Sequence, residues 1–379
     1  MLRYFTDWYL WYYIVLAFMG FIMYIQQKNR ELAPSNRINR SENENTDFRV
    51  SWLFGIALVI PLILIAGFRD WDLASKFGDT GYYILDYRNS PGSLGEVMSK
   101  IDWDARAPGY QIFMALVKQL TNADYTGFFI IVASIQTICL LIGYRRNCED
   151  IVICIFLFFA STDFMSWEMN GIRQFLVVAI LFAIFPLVQK RRFFLFALIV
   201  LVLFTIHKSA LIVIPIYIAA LGKPFNKKTI IGLLAIMIAL VFAGEFTNFM
   251  DDSLQGTVYK NMVSEFEGDN GTNIIRVFVY SIPAFLAIIN RGKINEDTPE
   301  IIKISVNMSL FTAALYMLSI PISGVYMGRL PIYCSLFNYI LLPWEIKNFF
   351  REDTRNLIKI AMVIFYLVFY VYQMTTWGL

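Results

Sequence analysis

The chain has 379 residues, 58% of them hydrophobic and 16% charged, with a mean hydropathy of +0.57. Soluble domains carry about 45–50% apolar and about 25% charged residues, so this composition excludes a water-soluble globular protein and predicts a polytopic helical membrane protein. The net charge of +3 says little by itself, because in such proteins the distribution of charge sets orientation. No nucleic-acid partner is expected. The four cysteines, Cys139, Cys148, Cys154 and Cys334, lack metal-ligand spacing and predict neither a disulfide framework nor a metal centre.

The run Trp8–Ile25 reads as a first spanning helix with its N-terminus outside. Arg3 precedes it while Lys28 and Arg30 follow, the wrong polarity for a cleavable signal peptide. The linker 26–50, with Lys28, Arg30, Arg37, Arg40 and Arg49, is expected in the cytoplasm. Residues 51–67 cross outward to a long outer segment, 68–109. The run 110–120 is apolar but too short to span and contains Lys118, so it reads as an interfacial or re-entrant helix. Residues 126–144 return inward to Arg145-Arg146, and 151–164 go out. The hairpin 171–188 and 193–207 follows, then 210–221 going in, 230–246 going out, and an outer acidic loop, 247–273. The runs 274–289, 305–322, 330–343 and 358–374 complete the pattern. It amounts to about twelve spans plus the interfacial helix, with both termini outside, in a single integral domain, 1–379. This orientation leaves most of the Lys and Arg residues on the inner side, as the positive-inside rule asks.

The hairpin is the pivot. Its two apolar runs are joined by Gln189-Lys190-Arg191-Arg192, and at ~1.5 Å per residue each covers about 22–24 Å. Retention of the basic turn in the cytoplasm puts the far ends at the outer face. Those ends carry Arg173 and His207, the only histidine, which are expected to face each other at similar depth. Other polar groups gather on the same predicted side. They are Arg69, Asp70, Asp72, Asp79, Tyr82 and Tyr83, then Asp102, Asp104, Arg106 and Tyr110, then Glu168, Lys208, and finally Tyr326 and Arg329. Charges near the apolar layer are costly and are functional candidates by default.

Each has a plainer reading. Arg69 and Asp70 would also mark a membrane boundary, and His207 would also bond a carbonyl at a helix end. The pair Asp102 and Asp104 is too common a spacing to carry a metal site, and the acidic loop would also serve as a solvated surface. Arg173 at a helix start opposes the helix dipole and calls for a partner, either Glu168 or a bound anion. Trp71, Trp103 and Trp167, beside carboxylates, suit stacking on sugar faces. A Gly-rich phosphate loop, a G-x-S-x-G and an H-E-x-x-H are all missing, so energy must come from a gradient or an already activated substrate.

The order Arg69, Asp79, Thr80 and Tyr83 (R-x(9)-D-T-x(2)-Y), Ile172-Arg173-Gln174, the basic turn, then His207, Ser209 and Ala210 (H-x-S-A) carries a resemblance. With the late Arg329 following a glycine, the chain resembles the EpsG-type, Wzy-like polysaccharide polymerases over nearly its whole length. The outer loops, divided between 68–109 and 247–273, depart from that pattern. The resemblance implies an all-α membrane fold similar to C-type membrane glycosyltransferases. It implies polymerisation of repeat units carried on undecaprenyl pyrophosphate, at the outer face of the bacterial cytoplasmic membrane, with no cofactor and no metal. The bilayer, a repeat-unit flippase and a chain-length regulator are the partners it brings.

The chemistry of the residues agrees. A lipid diphosphate donor needs no ATP, and its leaving group needs charge stabilisation, which arginines give through bidentate contacts. The acceptor hydroxyl must lose a proton, which a histidine or carboxylate accepts near neutral pH. The expected catalytic residues are therefore His207, Arg173, Glu168 and Asp79, and the expected substrate contacts are Arg69, Arg106, Tyr83, Gln174, Tyr326 and Arg329. Two alternatives use the same features: a glycan ligase that transfers to another acceptor, and a flippase of lipid-linked sugars. Against the flippase, the charges gather on one face instead of the midplane, and no twofold repeat is visible.

Overall fold

The computed structural model describes residues 2–31, 51–69, 78–103, 107–253 and 271–376. Among these residues all regular structure is helical. The helices are α1 (Leu2–Glu31), α2 (Trp52–Gly67), α3 (Gly78–Asn89), α4 (Leu94–Lys100), α5 (Pro108–Leu120), α6 (Tyr125–Asn147) and α7 (Ile151–Ala160). A π-helix (Phe164–Asn170) precedes α8 (Ile172–Ala183), α9 (Pro186–Gln189), α10 (Phe193–Phe204), α11 (Val213–Ala220), α12 (Lys227–Val241) and α13 (Ala243–Ser253). The chain closes with α14 (Ile274–Ile289), α15 (Glu300–Leu318), α16 (Ile332–Ser335), α17 (Asn338–Phe349) and α18 (Glu352–Thr376).

Among the described residues, four helices are long and apolar enough to cross a membrane: Trp8–Ile25 within α1, α6, α15 and α18. The number rises to six if two bent pairs each count as one, α7 with the π-helix at 78° and α12 with Ala243–Phe249 at 99°. The remaining apolar helices are shorter, and some of them end inside runs that hydropathy reads as continuous. The run 171–188 is split between α8 and α9, with Pro186 at the first position of the new helix, where its missing N–H costs nothing. The run 193–207 stops at Phe204. Lys118, which argued against a span at 110–120, donates from Nζ to the carbonyls of Tyr87, Arg88 and Ser90. It thus closes the C-terminal end of α3, where unpaired carbonyls favour a cation.

The chain divides into two compact units. The first comprises residues 1–97, 113–183 and 362–379. Its centre is α6, which Asp124 caps by accepting from Thr126 N and Gly127 N, and which ends on Arg145 and Arg146 at the carbonyl end of its dipole. Glycines let neighbours approach closely, as in membrane helix pairs generally. A Cβ on Gly67 of α2 would overlap Ile130, and one on Gly143 would overlap the ring of Phe182 on α8. Aromatic rings of Tyr9, Tyr12 and Tyr13 on α1 pack on Phe159 of α7, and Tyr9 and Tyr13 also meet Tyr370 of α18. At the turn between α6 and α7, Cys148 and Cys154 are joined, a link the sequence reading did not anticipate. It staples one turn and makes no framework. Cys139 and Cys334 are free.

The second unit comprises residues 98–112 and 184–361 and is built on α15, which is buried on nearly every side. Buried Asn307 donates from Nδ2 to Ala220 O (2.9 Å) and Lys223 O (3.1 Å), and its Oδ1 accepts from Phe225 N (2.9 Å). One amide thereby ties α15 to the turn between α11 and α12 and gives the Ala220 carbonyl its partner. At the other end of α15, Ser319 Oγ donates to Thr272 Oγ1 (2.7 Å), and Gly271 adopts φ +66° against the carbonyl of Ile320. This contact anchors the loop that leads to Tyr326 and Arg329. Gly271→Ala would face both the left-handed backbone and a clash with that carbonyl. It is expected to destabilise the protein by about 2 kcal/mol or more. A thermal melt of the detergent-purified variant checks this, and an unchanged midpoint would show that the anchor is dispensable.

Candidate functional site

In the first unit the site begins where α7 ends. Thr162 follows with φ +69°, a left-handed conformation that is costly for a β-branched residue. It turns the chain by 78° into the π-helix, a form often found at functional sites. Here Trp167 Nε1 donates to buried Asp163 Oδ1 (3.1 Å). Glu168 is fully buried. Its Oε1 accepts from Thr137 Oγ1 of α6 (2.5 Å), and its Oε2 has no hydrogen-bond partner.

Arg69, 1% exposed, lies under this segment. It donates from Nε to Ala66 O (2.5 Å), from Nη1 to Met169 O (2.6 Å) and from Nη2 to Glu168 O (3.2 Å), with its guanidinium 4.4 Å from the Phe129 ring centroid. Gln136 Nε2 donates to Ile172 O (2.9 Å) at the start of α8. The C-terminal carbonyls of the π-helix thus meet side chains in place of water.

One face of α3 completes the cluster. Asp79, Tyr83 and Asp86 recur at i, i+4 and i+7. The backbone N–H of Asp79 donates to Asn170 Oδ1 (3.2 Å), and the Arg173 guanidinium carbon lies 6.0 Å from the Tyr83 ring centroid. Asp86 is half-buried. Burial raises its carboxyl above the ordinary range, and the positive charge of Arg173 partly opposes that rise.

In the second unit His207 sits in extended backbone (φ −147°, ψ 117°) between α10 and a short 3₁₀ turn, Lys208–Ile212. Its Nδ1 lies 2.7 Å from Ser209 Oγ, which lies 2.7 Å from Tyr333 Oη. Nearby, Gly109 N donates to Thr205 O (3.0 Å) at a contact too close for any side chain at position 109. Tyr326 packs against the apolar cluster of Leu318, Ile322 and Met327, and its N–H donates to Ser323 Oγ (2.9 Å). Arg329 closes a 3₁₀ turn, Met327–Arg329.

The family model described as the EpsG family matches residues 52–378, most of the chain. The chain belongs to the EpsG family. No curated protein and no solved structure matches it. EpsG membership supports a role in polysaccharide polymerisation, and the helices outlined above fit a membrane protein.

Within this EpsG protein the first unit collects Arg69, Asp79, Tyr83, Glu168, Arg173 and Gln174, while His207, Tyr326 and Arg329 belong to the second. Arg106, Asp104, Asp70, Asp72 and Trp71 lie outside the described residues. Some expectations change. Trp167 is buried on Asp163 and offers no face to a sugar, whereas Trp103 is exposed. The carboxylate of Glu168 meets Thr137, and among the described residues the carboxyl of Asp86 feels the charge of Arg173.

Asp86 and Tyr333 went unread in the sequence. Asp86 had a usable signal, its seven-residue spacing from Asp79 on a helix face; Tyr333 had none. Asp86 also gives a pH signature. Its folded carboxyl titrates above the ordinary value, so the fold is penalised once pH rises from about 3.9 through the raised value, and not below it. Asp86→Asn removes that penalty. Its melting temperature should exceed that of the wild type at neutral pH, with the difference shrinking to zero as the pH falls towards 4. A difference that does not vary with pH would contradict the assignment.

Proposed function

We propose that this EpsG-family protein polymerises oligosaccharide repeat units carried on undecaprenyl pyrophosphate, at the outer face of the bacterial cytoplasmic membrane. In this reading the chain is one integral membrane domain of about twelve spans plus an interfacial helix, of the C-type glycosyltransferase kind. Residues 68–109 and both termini are outside, and 26–50 is inside. The observation that carries the reading is Arg173. It is a half-buried guanidinium in the first turn of α8, beside Tyr83 and Asp86, where helix N–H groups and a cation both favour an anion.

The proposed reaction is a direct glycosyl transfer. The acceptor hydroxyl attacks the anomeric carbon and forms the new C–O bond, while His207 takes its proton. The bond to the diphosphate breaks and its electron pair leaves with the diphosphate, whose growing charge Arg173 stabilises. Arginine supplies the charge stabilisation, so the reading invokes no metal. Tyr83, Gln174, Arg106, Tyr326 and Arg329 are assigned to the substrate's sugar and phosphate groups. Arg69 contributes through the π-helix carbonyls it binds. Glu168 and Asp79 are the next carboxylates to test as bases. The flippase and chain-length regulator act before and alongside this step.

Arg173→Lys keeps the charge but loses the planar fork. It should lower turnover by roughly 10²–10³, equivalent to about 2.7–4 kcal/mol of transition-state stabilisation. His207→Ala should fold, retain the lipid-linked donor and leave single repeat units where the wild type makes a ladder, a loss of roughly 10²–10⁴. Both are measured per mole of purified protein with synthetic lipid-linked repeat units, which separates chemistry from abundance. Wild-type ladders from Arg173→Lys and Arg173→Ala together would remove Arg173 from the mechanism. Transfer to a foreign acceptor without elongation would identify a ligase. For topology, a cysteine placed at Ser93 should react with an impermeant reagent from outside, and one at Asn36 should not. The reverse pattern would overturn the orientation.

A further inference from the structure

We propose that Ser209 and Tyr333 are positioning residues for His207, holding the imidazole with its proton on Nδ1 so that Nε2 carries the lone pair that receives the acceptor's proton. The proposal rests on the reading of His207 as the base and deepens it.

The geometry is a three-atom chain. His207 Nδ1 and Ser209 Oγ are 2.7 Å apart, two residues along the sequence, and Ser209 Oγ and Tyr333 Oη are 2.7 Å apart across 124 residues. The far end is fixed. Tyr333 is 1% exposed, and its carbonyl accepts from Tyr217 Oη (3.2 Å). The Tyr217 ring is itself held by Phe185 (centroids 5.1 Å) and Phe196 (5.9 Å). The near end is held through its backbone, His207 N–H donating to Leu203 O (2.9 Å) and the His207 carbonyl accepting from Ala210 N (3.0 Å). On that fixed backbone the contact from Nδ1 to Ser209 Oγ orients the ring.

A neutral imidazole has one N–H and one lone pair, and the partner on one nitrogen decides what the other can do. Serine and tyrosine hydroxyls both donate and accept, so they complete the chain in the productive direction. Nδ1–H donates to Ser209 Oγ, and the Ser209 hydroxyl donates to Tyr333 Oη. When the acceptor's proton arrives at Nε2, the ring becomes an imidazolium with two donors. The Nδ1–H bond to Ser209 then becomes charge-assisted and strengthens as the positive charge develops. No proton moves along the chain and no bond in it breaks.

The test measures kcat and KM of the purified full-length protein on synthetic undecaprenyl-pyrophosphate-linked repeat units, alongside the melting temperature of each variant. Ser209→Ala should lower kcat roughly ten-fold or more with KM unchanged, as for loss of an outer partner of a functional imidazole. Ser209→Thr keeps the hydroxyl and should restore most of kcat. Tyr333→Phe, which removes a single oxygen, should give a smaller loss in kcat, also without a change in KM. If Ser209→Ala and Tyr333→Phe keep wild-type kcat while His207→Ala makes no ladder, the positioning role is wrong and the base reading stands. A normal ladder from His207→Ala would sink the base reading and this proposal with it. A common fall in kcat, KM and melting temperature, without rescue by Ser209→Thr, would mark the pair as structural and overturn the proposal.

Discussion

The first unit depends on a buried cation that spends its donors on backbone. Arg69, just past the end of α2, bonds the carbonyls of Ala66, Glu168 and Met169. A short π-helix that breaks at Gly171 leaves carbonyls at its C-terminal end, and buried carbonyls without partners are costly. The guanidinium, a planar fork, can meet two of them at once and lie on the face of Phe129 as well. Lysine has no such fork. Arg69 thus helps hold the segment that carries Glu168 and leads into Arg173, together with Thr137, Gln136 and the N–H of Asp79. That makes the strained Thr162 turn tolerable too, since the surroundings determine a conformation its own sequence resists.

The same device recurs in the second unit at smaller scale. Asn307 holds a turn with both ends of one amide, and Ser319 with Thr272 ties residues 271–273 to the end of α15. In an apolar chain the packing of helices is permissive, because lipid and side chains are equally oily. Buried polar side chains therefore carry much of the specificity. They fix where helices stop, and the residues proposed to carry the chemistry sit at those stops: Arg173 at the start of α8, His207 after α10, Arg329 before α16.

This division explains what was legible in the sequence. Composition gave the helical membrane class, and the apolar runs located most helices. The motif residues Arg69, Asp79, Tyr83 and Arg173, written far apart in the chain, do meet in one cluster. Hydropathy misplaced the breaks by a few residues: the run read to 164 ends at Ala160 ahead of Ser161-Thr162-Asp163, the run read to 207 ends at Phe204 ahead of Thr205, and the run read to 188 breaks after Ala183, ahead of Pro186. The π-helix was invisible because a π turn has no composition of its own. Trp167 read as a sugar platform from its acidic neighbours, and folding gave its indole to Asp163. Tyr333 could not be read at all, because a contact across 124 residues leaves no periodic trace.

The central claim is that this chain alone joins lipid-linked repeat units, drawing the energy from the donor's own diphosphate bond. The most direct measurement is reconstitution of the purified wild-type protein with a synthetic undecaprenyl-pyrophosphate-linked repeat unit as the sole substrate, without nucleotide and without an ion gradient. The account predicts a ladder of products spaced by one repeat unit, with undecaprenyl pyrophosphate released at each step. Movement of the lipid-linked unit across the bilayer with no new glycosidic bond would contradict it.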